Sequence, residues 1–293
     1  MKIDKNIANL ALFWYNNREV YKMKQLLSYK DEQAGYYFGH SYAEKASPTD
    51  FALHNHNDMC EILIFLKGDA TFRVEGTTYY PEPWDIIITN PNEMHKMCIN
   101  SETEYERYVA NINDSFFLKN DCADFKDMFH SRVLGTNNLI KSDDTTRDVV
   151  TRLCECINEN APAIVIKSVF IELLYCIQKN AALPREPLTT QAHIKDVIIY
   201  INKNIRSELD LDSIAEHFFI NKYHLCHIFR RHTGLSVNRY INYKRLLLAR
   251  ELCSQGMSLT DASEEAGFCN YSSFYKVYKR EFGSSPRIDL KKK

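Results

Sequence analysis

The stretch that decides the fold runs from Asn221 to Gly234 and reads NKYHLCHIFRRHTG. The stretch from Asn270 to Gly283, NYSSFYKVYKREFG, starts 49 positions later and repeats the pattern of apolar residues, two late bases and a closing glycine at the same offsets. Each copy has the pattern of an asparagine N-cap, a helix with one apolar stripe, a basic last turn and a glycine stop. This pattern is typical of the second helix of a helix-turn-helix unit, and two such units can read DNA at two places.

A short first helix is predicted before each copy. In the first unit Asp210 or Asp212 would cap it, and in the second Gly267 with Phe268 would form the turn, because glycine adopts the left-handed conformation without a Cβ penalty. Residues 236–253 read as one connecting helix about 26 Å long. The two recognition helices would then lie roughly 34 Å apart, one turn of DNA.

DNA contacts are predicted from the exposed early positions of the two recognition helices, their capping asparagines and their basic ends. The residues are Asn221, Lys222, Tyr223, His224, Cys226, His227, Arg230, Arg231, Asn270, Tyr271, Ser272, Ser273, Tyr275, Lys276, Lys279 and Arg280. The late bases could also serve only to complement the helix dipoles. The repeat favours phosphate contacts, whereas Lys291–Lys293 read as a solvated run.

Residues 191–293 resemble the DNA-binding domain of AraC/XylS-type transcription regulators. The resemblance rests on Leu211–Phe229, on the TGLS at 233–236, on the AGF at 266–268 and on Phe282, Gly283 and Pro286. The chain departs from the family pattern at Ala262, Ser263 and Tyr278 and after Pro286, which predicts a looser second unit. The family often has an arginine at the position of His227, so the resemblance implies an operator different from well-known ones.

Charge is divided in the same way. Residues 191–293 hold 17 Lys and Arg against 11 Asp and Glu, and residues 1–190 hold 20 against 27. The net charge of −1 therefore conceals a basic carboxy-terminal part, where phosphate contacts are expected.

Short strands are predicted between residues 35 and 115. Alternating or β-branched runs occur at 60–66, 70–74, 85–89 and 105–112, and glycines and prolines separate them. Strands at this spacing suggest a small barrel or jelly roll. The predicted fold class is α+β, with an amino-terminal cupin-like β-barrel, flanking helices and an all-α carboxy-terminal domain.

The barrel segment resembles the cupin signature, because His54 and His56 precede Glu61, Gly68 follows and His95 comes later. Trp84 stands where the signature has a glycine before Asp85. In regulators with this kind of DNA-binding domain, the resemblance implies a pocket for a small effector. The predicted effector-binding residues are His54, His56, Glu61, Tyr80, Trp84 and His95. Sugars are the effector class suggested by analogy, with Trp84, Tyr79 or Tyr80 stacking on the ring.

Two other interpretations of the histidines stay open. Two histidines two positions apart on a strand point to one side, and metal cupins use this set for a transition metal, so His54, His56, Glu61 and His95 could hold one structurally or in a metal-dependent enzyme. They could instead be satisfied polar groups of the core. We predict no catalytic residue, no cofactor and no metal, because a catalyst would have little use for two DNA readers.

The remaining segments are assigned by their pattern. Residues 1–34 are predicted to be a helical arm that covers the barrel, and 116–182 a helical region, with Asp144 or Thr145 capping one helix and Pro162 starting another. The second helix is apolar around most of its surface, which fits a dimer interface and a buried intrachain helix equally. Residues 183–190 read as a linker, and the two helix-turn-helix units are placed at 209–232 and 258–281.

Composition limits the class of protein. The chain of 293 residues predicts about two domains, and it has neither an apolar run of membrane-spanning length nor a signal peptide pattern. The nine cysteines show no paired CxxC, and Cys154 and Cys156 would lie on different helix faces, so reduced thiols and a cytoplasmic location are expected.

The sequence therefore predicts an effector-responsive transcription regulator. Its partners would be double-stranded promoter DNA, a small-molecule effector, a second copy of the chain and, if it is an activator, RNA polymerase; no membrane is involved. The alternatives are a metal-dependent cupin enzyme with an accessory DNA-binding domain and an architectural DNA-binding protein without a sensor.

Overall fold

The computed structural model describes residues 23–50, 53–56, 59–182 and 192–287. The chain divides into two units, Met1–Leu188 and Thr189–Lys293. The predicted linker at 183–190, most of the predicted arm and the lysines at the end lie outside the described residues.

The first unit contains two antiparallel sheets. The strands are β1 Lys24–Asp31, β2 Tyr36–Ala46, β3 Thr49–Asp50, β4 Met59–Lys67, β5 Ala70–Val74, β6 Thr77–Tyr79, β7 Ile86–Thr89, β8 His95–Ile99, β9 Thr103–Asn113 and β10 Leu139–Ile140. The larger sheet has the order β1-β2-β9-β4-β7-β10, and the smaller has β3-β8-β5-β6.

Alternation along the strands builds two separate cores. In β4, Leu63 and Phe65 point to the smaller sheet and pack with residues such as Phe72 and Met97, which closes the two sheets face to face. The neighbouring side chains of β4, such as Ile62, point the other way and pack under the helices of this unit. Since successive side chains of a strand alternate between its faces, β4 contributes to both cores.

The helices of the first unit follow β9. They are α1 Asp114–Lys119, a 3-10 turn Ala123–Lys126, α2 Asp127–His130, α3 Asp144–Asn158 and α4 Ala163–Ala181. The cap of α3 is Asp143, which accepts from the backbone N–H of Thr146, and neither Asp144 nor Thr145 takes this role. Pro162 directly precedes α4, as predicted.

The predicted α+β class is confirmed, and each of the four predicted strands is present within about two residues. The prediction of a helix over residues 1–34 is wrong at Lys24–Asp31, which form strand β1. This strand lies at the sheet edge and buries only Leu27, so it lacks the alternation that identifies a strand in sequence. Its conformation comes from pairing with β2.

The second unit is helical over the described residues. Its helices are α5 Ala192–Lys203, α6 Leu211–His217, α7 Lys222–Thr233, α8 Val237–Ser254, α9 Leu259–Glu265 and α10 Tyr271–Phe282. Helices α6 and α7 form the first helix-turn-helix unit, α9 and α10 form the second, and α8 connects them. At 18 residues, α8 is about 27 Å long.

The second unit has a closed core of its own. Phe268 from the turn and Phe274 and Tyr278 from α10 pack against Leu246 and Ala249 of α8. Tyr278 and Ala262, two of the departures from the family pattern, are fully buried. Whether the second unit is the looser of the two stays a prediction.

Candidate DNA-binding surface and histidine cluster

The first recognition helix, α7, is bounded by the two residues that the sequence indicated. The Asn221 side chain accepts hydrogen bonds from the backbone N–H groups of Tyr223 and His224. Gly234 ends the helix in the left-handed conformation, with φ of 79°. A capping asparagine typically contributes about 1 kcal/mol, so short-range interactions fix where this helix begins.

One side of α7 is packed and the other is exposed to solvent. Leu225 and Phe229 are fully buried, whereas Tyr223 is 83% exposed. The polar residues of the predicted DNA surface are exposed or half-buried on the opposite side: Asn221, Lys222, His224, Cys226, His227, Arg230 and Arg231. Lys222 forms an ion pair with Asp212 of α6, with Nζ 2.7 Å from Oδ2.

Helix α10 repeats this arrangement. Asn270 caps it by accepting from the backbone N–H of Ser273, and Gly283 ends it at φ of 72°. Phe274 and Tyr278 are buried. The predicted contact residues are exposed, or half-buried in the case of Tyr271: Asn270, Tyr271, Ser272, Ser273, Tyr275, Lys276, Lys279 and Arg280.

Helices α8 and α10 are joined by a carboxylate held between two arginines. The side chain of Glu281 is 4% exposed, and its carboxylate accepts from Arg239 Nη2 at 2.9 Å and from Arg280 Nε at 2.9 Å. Burial raises the pKa of Glu281, but the two guanidinium groups together lower it below its ordinary value. Arg280, predicted to contact DNA, therefore has a neighbour that holds its side chain.

In the first unit, the predicted effector-binding histidines come together with Glu61; we call His54, His56, His95 and Glu61 the histidine cluster. His56 Nε2 lies 2.7 Å from Glu61 Oε2, and His95 Nε2 lies 3.6 Å from Glu61 Oε1. A backbone bridge pairs His54 with His95. His56, His95 and Glu61 are all less than 8% exposed.

The cluster lies on the face of the larger sheet that meets the smaller sheet. Glu61 is paired in register with Thr89 of β7 on one side and Asn111 of β9 on the other, and both are buried. Asn111 Oδ1 is buried and accepts no hydrogen bond among the described residues. Sequence reasoning missed Thr89 and Asn111, because only strand register brings them beside Glu61.

The electrostatics of the cluster favour a charged carboxylate beside neutral imidazole. Burial raises the pKa of Glu61, but the three imidazoles, His56 first, lower it by more and leave it below its ordinary range. Burial lowers the pKa of His95, which its attraction to Glu61 only partly opposes. Nε2 of His95 makes no hydrogen bond among the described residues and can interact with a polar ligand, whereas Nε2 of His56 is in close contact with the Glu61 carboxylate.

The same set could hold a metal. One ring nitrogen from each of His54, His56 and His95 lies within 4.8 Å of the others, and the Glu61 carboxylate is adjacent. Three imidazoles and a carboxylate are a donor set for first-row transition metals. The buried Nε2 of His95, which makes no hydrogen bond among the described residues, fits such an ion, which would supply Lewis acidity.

Two predicted effector residues lie away from this cluster. Tyr80 is 70% exposed. Trp84 packs on the helix side of the larger sheet, where Arg147 of α3 lies 5.9 Å from its ring centroid. The structure does not bring either residue to the histidines. The backbone conformation at position 84 explains why the cupin signature has a glycine there. Trp84 has φ of 72°, in the left-handed region that glycine adopts most easily.

Comparisons with known proteins agree with both parts. Residues 39–174 match the family model of the AraC-like ligand binding domain, and residues 214–291 match that of a helix-turn-helix domain. Regulatory protein PocR of Salmonella typhimurium is 25% identical over 186 residues, 61% of this chain and 56% of PocR. The transcriptional activator RhaS of Escherichia fergusonii is 31% identical over 119 residues, 40% of this chain and 42% of RhaS. The aligned region thus spans about half the length of these relatives.

Among solved structures, ToxT from Vibrio cholerae is similar over 86% of this chain and 97% of its own, at 16% identity and a TM-score of 0.36. Among the described residues, no helix is both long and apolar enough to cross a membrane.

The two domains define a protein that joins a ligand-binding β domain to a pair of DNA-binding helix-turn-helix units. The chain thus joins an AraC-like ligand-binding domain to a helix-turn-helix DNA-binding domain, as AraC-family regulators do.

Proposed function

We propose that the protein is a sequence-specific transcription regulator whose binding to promoter DNA depends on a small-molecule effector. The observation that carries the proposal is the matched pair of recognition helices, α7 and α10. Both are capped by asparagine and ended by glycine, and both present a polar, basic side to solvent. A connecting helix about 27 Å long suits units that enter successive major grooves.

The effector site we propose is the histidine cluster with Thr89 and Asn111. Acceptor and donor atoms converge there on a buried face: the Glu61 carboxylate, Nε2 of His56 and His95, and Asn111 Oδ1. A ligand rich in hydroxyl groups, such as a sugar, would satisfy several of these atoms at once. The effector would shift the population of sensor states and so change how the DNA-binding domains are presented or paired.

A second copy of the chain is the proposed partner of helix α4. Ile164, Val165 and Tyr175 are 62%, 42% and 56% exposed, although the opposite side of this helix is buried in the core. Ile164, Ile171 and Tyr175 share one face, because they are seven and four positions apart. Large apolar side chains grouped on one exposed helix face are typical of a protein interface.

The dimer is tested by light scattering on full-length protein at micromolar concentration. The wild type is expected at twice the monomer mass and Tyr175→Glu as a monomer. Thr151→Glu, which introduces the same side chain at an exposed position of α3, outside the proposed face of α4, is the control and should leave the mass unchanged. A monomeric wild type would contradict the proposal.

Specific DNA binding separates a regulator from an architectural protein. The affinity for the protein's own upstream region and for random DNA of equal length is measured at several salt concentrations. A regulator is expected to prefer the specific site by about 10³-fold or more. Equal affinities at all salt concentrations would favour an architectural role.

The enzyme alternative is tested through the histidine cluster. We expect His56→Ala to abolish the effector response and to leave effector-free DNA binding unchanged, because His56 lies in the sensor unit. Stoichiometric iron or manganese in the purified protein, with turnover that His56→Ala removes, would favour the metal-dependent enzyme.

We place the regulator in the cytoplasm, where it would meet promoter DNA. It would also meet RNA polymerase there if it activates transcription.

A further inference from the structure

A second cluster of metal-ligating side chains lies on the opposite face of β4. Cys60, the neighbour of Glu61 in β4, points to the helix side of the sheet and is fully buried. There it meets Asp114, the first residue of α1, and His130, the last residue of α2. We call Cys60, Asp114 and His130 the thiol cluster.

The distances in the thiol cluster are close to those of a metal site. Cys60 Sγ lies 3.7 Å from His130 Nε2, and His130 Nε2 lies 3.8 Å from Asp114 Oδ1. All three ligand atoms lie within 4.8 Å of one another. Around tetrahedral Zn²⁺, with bonds of about 2.0 to 2.3 Å, such atoms are about 3.3 to 3.7 Å apart. Shifts of a few tenths of an ångström to about 1 Å would therefore complete the coordination.

A second observation points to a ligand at the same place. Asp114 Oδ1, the oxygen that faces His130, is a buried atom without a hydrogen bond among the described residues. Its partner oxygen, Oδ2, accepts from Lys126 Nζ at 3.1 Å. A buried carboxylate oxygen without a donor is costly, and a cation bound to it would remove that cost.

The cluster also has a route to solvent, and two basic side chains lie near it. The side chains of Asp114 and His130 are 46% and 31% exposed, so an ion can enter from that side and a water can complete its shell. Arg132, the other nearby base, is paired with buried Glu93 at 2.9 Å. Lys126 is the one described cation bound to a ligand of the cluster.

We propose that Cys60, Asp114 and His130 bind one Zn²⁺ per chain in an exchangeable site. A thiolate, an imidazole and a carboxylate are ligands that zinc accepts together. The ion would fasten α1 and α2 to β4, the strand that also carries Glu61. The proposal does not depend on the function proposed above.

Cobalt titration of full-length protein tests the proposal. Co²⁺ replaces Zn²⁺ in such sites and gives a thiolate-to-cobalt charge-transfer band in the near ultraviolet only when a cysteine is a ligand. The histidine cluster contains no cysteine, so the band distinguishes the two sites. We expect the band to saturate at one equivalent, or at two if the histidine cluster also takes up cobalt, to disappear on addition of Zn²⁺ and to be absent from Cys60→Ser and His130→Ala.

Two further variants make the result decisive even if those substitutions impair folding. Cys176→Ser, at another buried cysteine, is the matched control and should keep the band. Lys126→Met removes the ammonium that competes for Asp114 and should bind Co²⁺ about two- to fivefold more tightly. A wild type without the band, or a band that survives in Cys60→Ser, would overturn the proposal.

Discussion

Phe219 and Gly267 occupy the same place in the turns of the two helix-turn-helix units, each two residues after the first helix, and both have positive φ, 53° and 92°. Glycine adopts this conformation freely, whereas a bulky residue pays about 1–2 kcal/mol. Phe219 is 96% exposed, so no packing offsets that cost.

Phe219→Gly is therefore expected to increase the free energy of unfolding by up to about 1 kcal/mol, after the entropic cost of glycine. The measurement is urea denaturation of the full chain, followed by far-ultraviolet circular dichroism. Gly267→Ala should act in the opposite direction, since its Cβ would lie 2.7 Å from the carbonyl oxygen of Ile205. Equal stability of Phe219→Gly and wild type would mean that the turn carries no strain.

The capping role of Asn270 in α10 can be tested separately from its predicted contact with DNA. Asn270→Ala should cost about 1 kcal/mol of stability, because the backbone N–H of Ser273 loses its acceptor. Asn270→Asp keeps an acceptor and should retain stability, but its charge would repel phosphate and weaken DNA binding. Stability is measured by denaturation and DNA affinity by fluorescence anisotropy, on the same preparations. Full DNA affinity of Asn270→Asp would mean that Asn270 does not lie near the phosphate backbone of the duplex.

Arg230 and His227 are expected to affect DNA binding in different ways. Arg230→Ala should weaken binding to all sequences and reduce the slope of log affinity against log salt by about 1, as for a phosphate contact. His227→Ala should cost about 1–3 kcal/mol at the operator only and relax the preference at one base pair. Lys45→Ala, an exposed base in the sensor unit, is the control and should change neither quantity.

The lowered pKa of Glu281 predicts that the free energy of unfolding depends on pH. Arg239 and Arg280 lower the pKa of Glu281 against the effect of burial. The ionised carboxylate therefore stabilises the folded protein fully above the ordinary glutamate pKa of 4.5, and this stabilisation is lost as pH falls through the lower pKa of the folded state. Glu281→Gln should thus be less stable than wild type at pH 7, and the difference should shrink below pH 4.5. Denaturation of both proteins across this range measures it; a difference that does not depend on pH would contradict the assignment.

The helix-turn-helix domain could be predicted from sequence because short-range interactions determine its boundaries. Asn221, Asn270, Gly234 and Gly283 act within one helical turn, and the structure places all four as expected. The histidines were also recognisable, since His54, His56 and Glu61 are close together in the chain.

Long-range pairing could not be predicted in this way. Thr89 and Asn111 reach Glu61 only through the register of three strands, and His130 reaches Cys60 across 70 positions. The assignment of Trp84 to the effector site depended on analogy, and alternation along the sheet places it on the helix side. Whether the predicted contact residues bind DNA and effector stays a prediction.

Footprinting on the protein's own upstream region tests the central claim most directly. Wild-type protein is expected to protect two adjacent major grooves on one face of the duplex, roughly 34 Å apart. His227→Ala should weaken protection in one groove and Lys276→Ala in the other, because α7 and α10 each read one. Protection of a single groove, or loss of both grooves in each variant to the same degree, would contradict the account of two separate readers.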